Sequence, residues 1–205
     1  MPAPYPELQS ALAVFLDRLD RELRESGFSG KPVQMYLAGG LAVNYYCGTR
    51  YTGDIDASFS HRILLQDDQL VLEYRKRDGS SALLYFDRNY NASLALLHED
   101  FETDSLEWEG IGNERRLVHL RVLAPLDVAV SKVARFSTQD RQDIRDLARV
   151  AGFGIEALRK RTGEALLNFI GNHTPIRTSL DLLERDLQEL ETRPPPSSQP
   201  GESLT

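Results

Sequence analysis

Apolar residues recur at three- and four-residue steps through Leu8, Leu12, Phe15, Leu16, Leu19 and Leu23. That is the period of one buried helix face, and it predicts a helix over residues 6–25, ended by Gly27 and Gly30. The pattern then changes. Residues 33–38 form a short apolar run of strand type, Gly39-Gly40 turns the chain, and residues 41–47 suit a short helix closed by Gly48. Residues 54–59 alternate charged and apolar positions and predict one strand with Ile55 facing inward. Two further strands, 70–75 and 82–86, flank Asp78-Gly79, a hairpin signal. Residues 93–98 and 117–123 give two more strands. From Pro125, a residue suited to a first helical turn, helices are predicted over 126–136, 139–150, 155–170 and 175–191.

Strands first and helices last predict an α/β fold: a mixed-sheet core with flanking helices over residues 1–123, and a helical C-terminal part over 124–192 packed on it. The stretch after Arg193, rich in Pro and Ser, reads as a disordered tail over 193–205. There is no internal repeat.

Composition narrows the classes. The 205 residues carry a net charge of -7, which excludes a strongly basic nucleic-acid coat but leaves room for a local basic patch. A single cysteine, Cys47, supports neither a disulfide framework nor a thiolate metal site within one chain. The N-terminal stretch lacks the basic and apolar regions of a secretory signal, and no apolar run reaches membrane-spanning length. The expectation is a cytoplasmic protein without a membrane partner.

The chemistry concentrates between Leu37 and Ser60. On a strand, Asp54 and Asp56 point to one face with Cα atoms about 6.6 Å apart. Two carboxylates at that separation suit a shared hard cation, and magnesium prefers a few carboxylates completed by water and phosphate oxygens. Gly39 and Gly40, between a strand and a helix, allow backbone N–H groups to approach a phosphate. Thirteen residues separate Gly40 from Asp54, enough for one short helix to leave the sheet and return. A glycine pair alone is usually a turn, and Asp-x-Asp alone is usually a solvated strand face. The two together carry the expectation.

LAGG at residues 37–40, followed by TGDID at 52–56, resembles the signature of the nucleotidyltransferase superfamily. More narrowly, the chain resembles the minimal, AbiEii-like nucleotidyltransferases of prokaryotic toxin–antitoxin and abortive-infection systems. Leu126-Asp127-Val128-Ala129-Val130-Ser131-Lys132 matches that group's Asp-Leu-x-x-x-Lys pattern with Val for Leu, and Asp143-Ile144-Arg145-Asp146 matches its Asp-x-x-Asp. The resemblance covers about residues 33–151. It implies Mg-dependent transfer of a nucleoside monophosphate from an NTP to an acceptor, an RNA such as tRNA, by a toxin with an antitoxin protein as partner. The alternatives are an antitoxin that adenylylates its partner, and a non-catalytic binding module of the same fold.

The resemblance also implies roles. Asp54 and Asp56 hold the metal. The fold usually adds a third carboxylate, which the family pattern does not place; of Glu99, Asp100, Glu102 and Asp104, Asp100 is the choice, since it sits just past the apolar run 93–98. Gly39 and Gly40 cradle phosphate, with Arg50 and Thr52 as further nucleotide contacts. Lys132 steadies the triphosphate, and Asp143 orients Lys132 or a substrate hydroxyl. Arg141, Arg145 and Arg149 share one helix face. That stripe is either an internally paired face, using acids such as Asp140 and Asp146, or a guide for an RNA backbone. His98 lines the cleft or packs in core or loop. Cys47 reads as packing, and Tyr45, Tyr46 and Tyr51 either stack a base or, as is usual for aromatics beside a sheet, pack in the core.

Overall fold

The computed structural model describes residues 6–61, 63, 71–76, 78–87, 90, 92 and 94–192. Helix α1 (Pro6–Glu25) lays Leu8, Leu12, Phe15, Leu16 and Leu19 into the core, as its periodicity predicts. Phe15 stacks on Phe86 with ring centroids 5.9 Å apart. The first sheet takes the order β3-β1-β7-β6. Its central strands β1 (Val33–Leu37) and β7 (Val118–Val122) run parallel, with Met35 opposite Leu120. Strand β3 (Ala57–Phe59) pairs antiparallel with β1, and β6 (Leu106–Glu107) antiparallel with β7. The second sheet has the order β2-β5-β4, with β2 (Asp54–Ile55) parallel to β5 (Ser81–Phe86) and β4 (Val71–Arg75) antiparallel to it. The predicted hairpin is there: Gly79 takes the left-handed conformation at φ +81, and Asp78 Oδ1 accepts from the Ser80 N–H at 2.9 Å.

The single strand expected over 54–59 is instead two, and they serve different sheets. Ile55 pairs with Phe86 in one sheet, Ala57 with Leu37 in the other, and Asp56 is the residue between them. Its carbonyl accepts the Ala38 N–H at 2.8 Å, so Asp56 is tied to the point where β1 ends. Alternation showed that Ile55 is buried, but not that its neighbours pair with different strands.

The strand expected over 93–98 is not formed by residues 94–98; Ser93 lies outside the described residues. Leu96, Leu97 and His98 are buried in succession, so this apolar run packs as irregular chain rather than alternating across a sheet. Strand β6, by contrast, has both residues exposed, so no apolar pattern marked it. The helix expected to reach residue 170 ends at Ala165, and Leu167 and Ile170 beyond it are exposed. The stretch 193–205 lies outside the described residues.

After β6 a short 3-10 turn (Asn113–Arg115) leads into β7. Helix α2 (Gly39–Cys47) crosses from β1, and α4 (Pro125–Val133) and α5 (Thr138–Ala151) pack against it. Helices α6 (Ile155–Ala165) and α7 (His173–Thr192) lie beyond them, and α3 (Phe101–Asp104) is a single turn. Buried Asp127 on α4 accepts two hydrogen bonds from Arg161 of α6, at 2.7 and 2.8 Å, which locks α6 onto α4. Among the described residues no helix is long and apolar enough to cross a membrane.

Candidate active site

The site begins at the glycine pair. Gly39 and Gly40 are the first two residues of α2, whose opening N–H groups have no acceptor within the helix. Gly39 has φ +61, a conformation costly for residues with a side chain. A Cβ there would stand 1.7 Å from Asp56 Oδ2, because the Asp56 carboxylate lies directly over the glycine. A Cβ at Gly40 would meet Arg50 Nε at 2.9 Å and Thr52 at 3.0 Å. Each glycine therefore admits a candidate residue from the 50–56 segment, and the pair and the Asp-x-Asp form one packed unit.

An open cleft of about 340 Å³ lies beside this unit. Gly39, Asp56 and Asp87 line it together with Lys132, Arg135 and Asp140, and Tyr90, Leu94, Ala95 and Ser131 complete the lining. Burial raises the Asp56 carboxyl above its ordinary range, and the charges of Asp87 and Asp54 push it further, against the opposing pull of Lys132 and Arg135. Asp87 directly follows β5, and its N–H donates to the Ile55 carbonyl at 3.1 Å. The sheet pairing that splits the strand at Asp56 thus also delivers Asp87. Asp54 is exposed and stands outside the cleft lining, although its charge reaches Asp56.

Asp100 is elsewhere. It precedes α3, its N–H donates to His98 Nδ1 at 3.1 Å, and it does not line the cleft. Buried His98 also stands 3.4 Å from Glu164, so it joins the α3 end of the fold to α6. The apolar run before Asp100 does not pair in either sheet, so it does not carry that carboxylate to the shared edge.

The cationic side is a network. Lys132, almost fully buried, places Nζ 2.7 Å from Asp143 and 3.4 Å from Asp140. Asp143 also receives Arg50 and, at 2.9 Å, Gln139. Arg50, expected as a nucleotide contact, bonds Asp143 through Nη1, and Asp143 also pairs with Lys132, the residue it was expected to orient. Thr52 packs on Gly40, and its hydroxyl accepts the Asp54 N–H at 3.3 Å. Asp140 accepts two hydrogen bonds of 2.7 Å from Arg135 and completes a capping box with Ser137 at the start of α5. Burial alone would raise the Asp140 carboxyl. The bonds from Arg135 and Ser137, with the Lys132 charge, overcome it and hold the group well below the carboxylate range.

The arginine stripe is internally paired. Arg141 donates twice to Asp186 of α7, at 2.5 and 2.7 Å, Arg145 stands 3.6 Å from the same carboxylate, and Arg149 pairs with Asp146 at 3.1 Å. Cys47 is buried, and burial with the nearby Asp146 and Asp143 charges pushes its thiol up to about 12, the state of a packing residue. Tyr46 is buried and donates to the Leu123 carbonyl at 2.8 Å.

The sequence reading does not single out Asp87 or Arg135, and names Asp140 only as an acid that could pair the arginine stripe. Each left a signal. Asp87 ends an apolar strand directly, the criterion that had pointed to Asp100. Arg135 follows Lys132 at one helical step, and Ser137-x-x-Asp140 has capping-box spacing.

Among the described residues no three His, Cys, Asp or Glu side chains converge into a closed metal-binding group. The cleft instead offers Asp56 and Asp87, with Asp54 near enough to be felt, as hard oxygen donors crowded by like charge. That donor chemistry fits a magnesium ion, which completes its shell with water and substrate oxygens.

Residues 15–180 match a family described as a nucleotidyltransferase of unknown function (DUF6036). A search of curated proteins gave no match.

Proposed function

The chain belongs to the nucleotidyltransferase family of unknown function DUF6036, and from that premise we propose that it transfers a nucleoside monophosphate from an NTP to an acceptor hydroxyl. One observation carries the reading: Asp56, seated over Gly39, shares one open cleft with Lys132 and Arg135, whose charges reach it. Carboxylates and cations lining the same cleft are what a metal-bound triphosphate needs.

In the reaction the acceptor hydroxyl gives its proton to solvent and its oxygen bonds to the α-phosphorus, the bond from that phosphorus to its bridging oxygen breaks, and pyrophosphate leaves. Asp56 and Asp87, which line the cleft, would hold the magnesium ion, with the charge of Asp54 nearby; the ion neutralises charge on the transferring group when bound. Lys132 presents a fixed charge to the phosphates, since Asp143 and Asp140 restrain its ammonium. Gly39 keeps the approach to Asp56 free of side-chain atoms, and the opening N–H groups of α2 lie beside it.

The acceptor we propose is an RNA such as tRNA, with the protein acting as the toxin of a toxin–antitoxin or abortive-infection pair. The resemblance of Leu37–Gly40, Thr52–Asp56 and the Lys132 block to AbiEii-like enzymes supports this finer reading. The paired stripe at Arg141, Arg145 and Arg149 does not contribute to it. The test is incubation of the protein with each labelled NTP, magnesium and total tRNA, alongside Asp56→Ala. Label on RNA that depends on Asp56 is the expected result. Label on protein instead would move the acceptor to a partner polypeptide, and label on neither would leave a binding module.

A further inference from the structure

Arg135 is an exposed arginine held by a buried acid. Its side chain is 70% exposed, while that of Asp140 is 0% exposed, and the two share a fork of 2.7 Å bonds. The fork uses Nε and Nη2, so Nη1 has no protein partner among the described residues. Arginines on open surfaces seldom gain much from one pairing, but this one lines the cleft that contains Asp56.

The backbone beside it is strained. Phe136 has φ +48, a left-handed conformation that a bulky residue rarely adopts. Its N–H closes the last turn of α4 on the Lys132 carbonyl at 2.9 Å, in the place where glycine is usual. Beyond this turn the chain enters α5, whose first turn carries Asp140, the acceptor of both Arg135 bonds. Such outliers persist where the surroundings impose them.

The division of the acids points the same way. Arg50, Lys132 and Arg135 share Asp140 and Asp143, and Arg135 also feels the Asp56 charge in the same cleft. Arg50 and Lys132 are both committed to Asp143, and Lys132 is buried. Arg135 is the member with an open donor edge in the cleft.

We infer that Arg135 is a second triphosphate-binding cation of this cleft, and that Asp140 is the residue that positions it. This rests on the nucleotidyltransferase reading. Lys132 supplies a point charge from the cleft wall, and Arg135 adds a planar donor edge suited to phosphate oxygens. Asp140 also caps α5, so its loss has a structural effect that must be separated from positioning.

The test measures binding of inorganic tripolyphosphate, a probe independent of the base, by calorimetry with magnesium present, alongside a nucleoside monophosphate. Arg135→Ala is expected to weaken tripolyphosphate about tenfold and to leave the monophosphate within about twofold. Asp140→Asn keeps an oxygen for the Ser137 cap but breaks the fork, and is expected to weaken tripolyphosphate in the same direction. Ser137→Ala removes the cap and the hydroxyl bond to Asp140 but leaves both arms of the Arg135 fork, and is expected to lower Tm without changing the affinity. Unchanged tripolyphosphate affinity in Arg135→Ala overturns the binding role. Unchanged affinity in Asp140→Asn, or a loss matched by Ser137→Ala, overturns the positioning role. A wild-type protein that binds neither tripolyphosphate nor any NTP overturns this inference together with the reading beneath it. Wild-type binding with an unaffected Arg135→Ala overturns the inference alone.

Discussion

The carboxylate of Asp56 lies against Gly39, and a Cβ at that glycine would stand 1.7 Å from Asp56 Oδ2 and 2.6 Å from its Cγ. Gly39→Ala is therefore expected to displace Asp56. It also places a side chain at φ +61, a cost of about 1–2 kcal/mol. Misplacing a reacting group by about 1 Å costs on the order of a hundredfold in rate, so transfer should fall at least that far. Gly40→Ala meets Arg50 Nε and the Thr52 side chain instead, which bear on Asp56 only indirectly, and should be milder. Steady-state transfer rates and Tm for both variants check the order. An active Gly39→Ala enzyme would show that Asp56 does not act from this position.

Asp56 is also predicted to destabilise the metal-free protein. Burial and the charges of Asp87 and Asp54 raise its carboxyl in the folded state. A raised carboxyl binds its proton more tightly when folded, so its penalty is absent below the ordinary carboxylate range. The penalty grows as pH rises from there through the raised value. Asp56→Asn should match wild type in acid and exceed it at neutral pH. About 1 kcal/mol would appear as about 2–4 °C in Tm for a chain of this length. Magnesium should then raise the Tm of wild type and not of the variant. Thermal scans across pH, with and without magnesium, give the answer, and an Asp56→Asn protein less stable at neutral pH would contradict the crowding account.

The elements that sit on one buried face were legible in the sequence, and those set by partners distant in sequence were not. Helix α1 and the β4–β5 hairpin announce themselves, because Leu8 to Leu23 and Asp78-Gly79 carry local patterns. The glycine pair and Asp56 were found because they lie in one short segment. Asp87 reaches the same cleft only through the pairing of Ile55 with Phe86, which no local pattern encodes. Asp100 shows the limit: a carboxylate after an apolar run is carried to a sheet edge only if that run is a strand, and residues 94–98 are not one. Likewise Arg141, Arg145 and Arg149 share a face by spacing, but Asp186, the acid that answers two of them, lies on α7.

The pairing of Lys132 with Asp143 makes an asymmetric prediction. Losing one partner of a buried ion pair costs about 3–5 kcal/mol when the other is left uncompensated. Lys132→Met leaves Asp143 with Arg50 and Gln139. Asp143→Ala leaves Arg50 without this acceptor and Lys132 with the longer contact to Asp140 alone. Urea denaturation should therefore find Asp143→Ala the more destabilised of the two, and a double-mutant cycle should show coupling between the positions. The opposite order would mean that Arg50 does not hold Asp143 in solution.

Arg141 and Asp186 join α5 to α7, and their pairing predicts an acid-labile contact rather than an RNA site. The hydrogen bonds from Arg141 hold the Asp186 carboxyl below its ordinary range, against partial burial. A lowered folded value contributes stability above the ordinary carboxylate range, and that contribution is lost as pH falls through the lowered value. Asp186→Asn should be less stable than wild type at neutral pH, and the difference should shrink in acid. Arg141→Ala should lose the same increment and leave the KM for an RNA acceptor unchanged, because its guanidinium is already committed to Asp186. Denaturant midpoints measured across pH check the first expectation, and acceptor titrations check the second. A rise of about tenfold in acceptor KM for Arg141→Ala, with its midpoint unchanged, would return the stripe to the RNA.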